Sequence, residues 1–175
     1  VLLKNDGILP LDKAVRIIAV IGPLANDKDT PLGNWRGRGE TNSAVSLLEG
    51  VRAAVAPATK VIYAEGAKLV TGPRAFPTRS VYNTTDRSGF AEAAEAARAA
   101  DVVLLALGED AFQSGEGRSQ TDLGLKGLQD ELLATVLAAN RRTVVVLSSG
   151  RPLAIGHVAD AVPALVAAWH LGSQS

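Results

Sequence analysis

The chain predicts a doubly wound α/β fold, a mostly parallel sheet of about five to six strands with helices on both faces. Three observations carry that prediction. Several apolar runs are nearly continuous in Val, Ile and Leu instead of alternating with polar residues, as strands covered on both faces require. Segments with helical spacing of apolar residues lie between them. Strand and helix alternate repeatedly at short spacing, which specifies parallel strands joined by right-handed crossovers.

The elements follow in order. Val15–Ile21 (VRIIAVI) reads as the first strand, and the long irregular stretch Gly22–Asn42 follows it. In Ala44–Val55, Val45, Leu48, Val51 and Val55 fall on one helical face, with Ser43 placed as the N-cap. Lys60–Ala64 (KVIYA) is the next strand and leads into a second irregular stretch, Gly66–Thr85. Asp86 or Ser88 caps the Ala-rich Gly89–Ala100 helix, where Phe90, Ala94 and Ala97 make a small-residue stripe. Val102–Leu107 is the third strand. Leu125–Ala139 sets Leu125, Leu128, Leu132, Val136 and Ala139 on one helical side. Thr143–Leu147 is the fourth strand, Pro152 suits the first turn of a short helix to about Val158, and Ala164–Trp169 is the fifth strand. Long loops in a compact domain are usually functional or mobile, and both long stretches here follow strands on one edge of the sheet.

Composition narrows the function classes. The chain has 175 residues, 47% hydrophobic and 21% charged, with a formal net charge of zero, so no basic excess favours nucleic acid. No apolar run approaches the ~20 residues that span a bilayer, and no membrane partner is expected. Cysteine is absent, which excludes disulfides, thiolate catalysis and Cys-based metal sites. The ends read as internal to a longer chain. There is no Met, the first residues open directly on VLLKNDGILPL, and LGSQS follows a strand where a further element is expected.

Chemistry concentrates after the third strand. Ligand sites in open α/β sheets gather beyond the carboxyl ends of the strands. There the segment SGEGRSQTDL (Ser114–Leu123) carries Glu116 between two glycines and Arg118 two residues on, with Glu109 and Asp110 at the strand end and Asp122 beyond. A Glu flanked by glycines can approach a ligand closely, and Arg118 could orient it or bind a substrate oxygen. On the residues alone, a solvated charged loop is the default reading. In the Gly22–Thr41 loop, Trp35 could stack on the apolar face of a sugar or anchor the loop. Arg36 and Arg38 could meet an anion, or Gly37 and Gly39 could simply allow a turn; neither a dinucleotide fingerprint nor a P-loop is present. His157 and His170 form no metal-binding spacing, and Ser148 and Ser149 sit in no nucleophile elbow. No metal and no cofactor is expected.

Taken together, the segments resemble the second, α/β sandwich domain of glycoside hydrolase family 3. The resemblance runs through VLLKND with LPL (Val1–Leu11), IAVIGP with LA (Ile18–Ala25), GNW (Gly33–Trp35) and YAEG (Tyr63–Gly66). It continues in GEGRSQTDLGL (Gly115–Leu125), LQDELL (Leu128–Leu133) and VVVLSSGRPLAI (Val144–Ile155). The matches are collinear and cover nearly the whole chain.

The resemblance implies one sandwich domain over residues 1–175, truncated at both ends, from an exo-acting retaining β-glycosidase of the β-glucosidase kind. It implies an Asp nucleophile on a preceding barrel domain, which is not in this chain, and a general acid/base Glu on the loop matched by GEGR. By that match Glu116 is the acid/base and Glu109 the backup. Trp35 and Arg118 are the substrate-binding candidates. The implied partners are the barrel and a β-glucoside or oligosaccharide, the implied compartment is the periplasm or the exterior, and the domain alone is expected to be inactive. Some relatives of phosphorylase or N-acetylglucosaminidase type carry a catalytic His on the barrel instead. Two other function classes stay open beside the hydrolase: an α/β module binding a nucleotide or anion, and a structural buttress for a neighbour.

Overall fold

The computed structural model describes residues 1–12, 14–76 and 78–174. Its sheet holds β1 (Leu2–Asn5), β2 (Ile17–Ile21), β3 (Lys60–Ala64), β4 (Val102–Gly108), β5 (Thr143–Ser148) and β6 (Ala164–Ala167). Their spatial order is β1-β6-β5-β4-β2-β3. Every pairing is parallel except that of β1 with β6. The predicted apolar runs all became strands. The edge strand β1 was not among them, because LLKN is short, exposed and amphiphilic, and it is recruited by pairing with β6.

The helices are α1 (Leu47–Ala54), α2 (Phe90–Ala99), α3 (Gln129–Ala139) and α4 (Gly156–Ala161). Side chains of α2, α3 and α4 pack with one side of the sheet, around Ala93, Ala97, Leu132, Val136 and Val158. Among the described residues, α1 is the helix on the other side, where Leu48 and Val51 meet Val20 and Leu104. β4, central in the sheet, is buried along its whole length.

The helix starts differ from expectation, each for a local reason. α1 begins later than predicted and is capped by Ser46, not Ser43. Ser46 Oγ accepts from Glu49 N–H at 3.2 Å and Glu49 Oε2 accepts from Ser46 N–H at 3.0 Å, a reciprocal capping box. Ser43 instead donates its hydroxyl to the Glu40 carbonyl. α2 has Gly89 at its N-cap with no side-chain cap, since Asp86 accepts from Ser88 N–H in a turn of its own. α3 starts at Gln129, four residues after the predicted Leu125, because Gln129 turns inward. Its Oε1 accepts from Gly108 N–H at 2.7 Å and its Nε2 donates to the Gly108 carbonyl at 2.9 Å. α4 starts at Gly156 and not at Pro152, because Ala154 N–H pairs with the Leu123 carbonyl and holds that segment against the loop after β4. β6 ends at Ala167, short of Trp169, whose φ of +60° breaks the strand.

β3 lies on one side of β2, whereas β4 lies on the other. The chain therefore reverses direction across the sheet at the β2/β4 boundary, and the loops leaving these two strands diverge to form a crevice. Gly108 closes β4 at φ +127°, where a side chain would collide with the Ser148 carbonyl of β5. The acid-bearing loop starts there.

Candidate active-site edge

Five loops leave the carboxyl ends of the parallel strands, and a layer of ion pairs with buried carboxylates ties together those after β2, β3, β4 and β5. Asp27, in the loop after β2, accepts from the amides of Asp29 (2.8 Å) and Thr30 (3.1 Å) and from the Thr30 hydroxyl (2.7 Å). Arg74, from the loop after β3, reaches Asp27 Oδ2 at 2.5 Å and Asp110 Oδ2, after β4, at 3.1 Å. Arg36 pairs with Asp29 and stacks its guanidinium over Phe112, 5.0 Å from the ring centre. Arg151, after β5, contacts both Glu109 oxygens at 3.1 and 3.2 Å and donates to the carbonyls of Gln113 and Arg118.

These contacts set the protonation of the acids. Burial works to raise Asp27, but the Arg74 charge, the Thr30 hydroxyl and the two amides together hold it below its ordinary value. Burial pushes Glu109 up against the pull of Arg151, and pushes Asp110 up against the pull of Arg74. His170, following β6, is held below its ordinary value by burial as its ring packs against Gly33.

Above this layer stand the exposed groups. Glu116 is exposed and takes part in no ion pair among the described residues. Trp35 is 72% exposed, so it is not packed as a loop anchor. Asn34, its neighbour, donates its side-chain amide to the Ser114 carbonyl and thereby ties the Trp35 loop to the Glu116 loop. Gly115 sits at φ +105° directly beneath that bridge, and a β-carbon there would overlap the Asn34 amide. The Gly–Glu–Gly pattern thus has a steric cause on its first glycine.

The remaining sequence candidates separate. Glu109, the backup acid, is 3% exposed and committed to Arg151, so it lies beneath the crevice floor. Arg118 does not point at Glu116; its Nη2 donates to the Ala75 and Phe76 carbonyls at the tip of the loop after β3. Arg36 is consumed by Asp29. His157 pairs with Asp130 at 2.7 Å on the surface of α4 and α3, and Ser149 Oγ donates to the Arg151 carbonyl. Asn34, Arg74 and Arg151 were not singled out from the sequence. Their only signal was a polar residue near a strand end, with partners about 40 to 80 residues away. Among the described residues no group of three or more His, Asp or Glu side chains could hold a metal ion. No helix of the described chain is long and apolar enough to cross a membrane.

Comparison with known proteins places this architecture. The profile of the Glycosyl hydrolase family 3 C-terminal domain matches residues 1–175. The chain is 32% identical to a Beta-xylosidase of Formosa agariphila, over 100% of this chain and 23% of that protein. It is 32% identical to the Periplasmic beta-glucosidase of Salmonella typhimurium, over 99% of this chain and 24% of that protein. The solved beta-glucosidase from Listeria innocua in complex with isofagomine superposes with a TM-score of 0.83 at 28% identity, over 99% of this chain and 22% of that one. For the Bifidobacterium adolescentis GH3 beta-glucosidase the TM-score is 0.77 at 34% identity, over 99% and 23% of the two chains. The chain spans just under a quarter of the length of these relatives.

Proposed function

This chain belongs to the Glycosyl hydrolase family 3 C-terminal domain family, and from that premise we propose that it is the acid/base half of a two-domain retaining β-glycosidase. The supporting observation is how the carboxylates around the crevice are committed. Glu109 is held by Arg151, Asp110 by Arg74 and Asp122 by Lys126, and Glu116 alone of these four stands exposed without an ion-pair partner among the described residues. Retaining hydrolysis needs two carboxyl groups about 5–5.5 Å apart. This edge offers one that can reach a substrate, so the nucleophile comes from another domain, a barrel preceding this one in the parent protein.

In that assembly Glu116 protonates the glycosidic oxygen as the leaving group departs. It then takes the proton of the water that hydrolyses the glycosyl–enzyme ester. Its proton must be held at working pH, and both burial against the barrel and the anionic nucleophile favour the neutral form. Trp35 offers a face to the sugar or the leaving group. Arg118 acts by clamping the loop after β3 to the acid/base loop. The names of the relatives point to terminal β-linked glucose or xylose as the glycone, and to export from the cytoplasm. The nucleotide-binding alternative has weaker support, because the loop after β2 runs into a three-residue 3₁₀ turn (Thr30–Leu32) and not directly into an α-helix N-terminus.

The test is Glu116→Gln in the full-length protein. Turnover of alkyl or oligosaccharide glycosides should fall about 10²–10⁴-fold, the range of general acid–base catalysis. Activated aryl glycosides, whose leaving groups need little protonation, should suffer least in the glycosylation step. Equal loss on both substrate types would count against Glu116, and a parent protein without glycosidase activity would end the reading.

A further inference from the structure

Beside the acid/base loop lies a polar cavity of about 220 Å³ whose walls include Arg79, Tyr82, Phe112, Gln113, Gly117 and Arg118. Among the described residues, no Asp or Glu lines it. That sets it apart from the rest of this edge, where Arg36, Arg74 and Arg151 each have a carboxylate partner. Among the described residues, neither Arg79 nor Arg118 forms an ion pair.

Two of its lining residues also carry buried donors that lack acceptors among the described residues, Gln113 Nε2 and Arg118 Nε. Gln113 is only 1% exposed, and its amide orientation is fixed because Oε1 accepts from Asp110 N–H at 2.7 Å. The nitrogen is left as a donor without an acceptor among the described residues. Buried donors without acceptors are rare and costly, so two on residues that line one cavity, together with two guanidinium groups that have no carboxylate partner among the described residues, suit an anion.

We propose that this cavity binds a carboxylate carried by the leaving group of the substrate, so that the parent enzyme favours acidic aglycones. The inference rests on the acid/base role proposed for Glu116, because a leaving group stands next to the acid that protonates it and the cavity adjoins the loop of that acid. Gly117 and Arg118, which follow Glu116 directly, form part of the cavity wall. Tyr82 and Phe112 line the same space, and its volume suits one ring with its carboxylate rather than an extended oligosaccharide. Glu116 itself is the nearest acid in sequence, and it is neutral at the moment it acts as the acid.

The experiment uses the full-length protein and a matched pair of substrates, 4-carboxyphenyl and 4-carbamoylphenyl β-D-glucoside. The carboxylate should be favoured about tenfold in kcat/KM, the scale of one charge-assisted hydrogen bond, and the preference should shrink with added salt. In Arg79→Gln, a change at an exposed loop position, the ratio of the two values should fall to within about twofold. A second arm titrates benzoate against benzamide and reads the Gln113 side-chain amide resonances by NMR. Benzoate binding without hydrolysis of either glucoside would overturn the glycosidase reading and leave the anion site standing. Equal hydrolysis of both glucosides with no benzoate response at Gln113 would overturn the anion site and leave the role of Glu116 intact. Equal hydrolysis with benzoate bound would overturn the assignment of the anion to the leaving group.

Discussion

Replacing Arg151 by methionine probes the ion-pair layer on which the Glu116 loop rests. Arg151 contacts Glu109 at 3.1 and 3.2 Å and donates to two carbonyls of that loop, those of Gln113 and Arg118. Methionine keeps most of the aliphatic bulk and deletes the charge and every donor. Glu109, 3% exposed, is then either an unpaired buried carboxylate or a buried acid that keeps its proton. Breaking a buried pair from one side costs about 3–5 kcal/mol, against a typical total stability of about 5–15 kcal/mol.

The pH dependence identifies the cause. Burial already pushes Glu109 above its ordinary value against the pull of Arg151, so removing Arg151 raises it further. A carboxyl raised in the folded state keeps its proton after the unfolded chain has released its own. The folded state then binds more protons, and stability falls as pH climbs from the unfolded value of about 4.3 towards the folded one. R151M should therefore lie closest to the parent near about pH 4 and furthest below it near about pH 7.5. Urea denaturation followed by circular dichroism at the two pH values measures the difference. Adding Glu109→Gln to R151M should recover about 1–3 kcal/mol at the higher pH, because a neutral amide is cheaper to bury than an unpaired charge. A loss of equal size at both pH values, with no recovery in the double variant, refutes the buried-pair account.

Three further outcomes follow from local geometry. Ser46→Ala should lower stability by about 1 kcal/mol in thermal melts, whereas Ser43→Ala should stay within about 0.5 kcal/mol; the reverse order would reinstate Ser43 as the helix cap. Gln129→Leu removes both partners of the Gly108 peptide and should cost about 2–4 kcal/mol, seen as a lower urea midpoint with an unchanged slope. Gly115→Ala, at φ +105° under the Asn34 bridge, should displace the Glu116 loop and lower kcat of the full-length protein about tenfold or more, since small misplacements of a catalytic group are costly. Unchanged turnover in that variant would mean that the bridge does not position Glu116.

The parallel core was legible because it is a local property. A run such as VVLLALG has no polar face to turn to solvent, so its burial on both sides is written in consecutive residues. The edge strand β1 was not legible, since LLKN becomes a strand only by pairing with β6, some 160 residues away. Helix starts were misplaced for a similar reason. Gln129 fits a helical pattern beginning at Leu125, and only its bond to Gly108 shows that the chain turns inward first. For α1 the information was local after all: Ser46 and Glu49 stand at capping-box spacing, a stronger signal than the bare Ser43.

The carboxylates show where sequence reading stops. Glu109, Asp110 and Glu116 stand within eight residues of one another, and nothing in that stretch ranks them by burial. The ranking comes from Arg74 and Arg151, which arrive from other strand ends and draw the first two beneath the crevice floor. Glu116 escapes because glycines on both sides carry it through a turn that projects from the scaffold, at φ +105° for Gly115 and +68° for Gly117. An exposed, unpaired Glu on its own would be an ordinary surface residue. What separates this one is the rigidity beneath it. The loop is fixed at the Asn34–Ser114 bond, at the Arg151 bonds to Gln113 and Arg118, and at the clasp of Arg118 on Ala75 and Phe76. A solvated loop with no task has no need of three anchors within the six residues from Gln113 to Arg118, whereas the role proposed for Glu116, an acid that must meet a nucleophile on another domain, does.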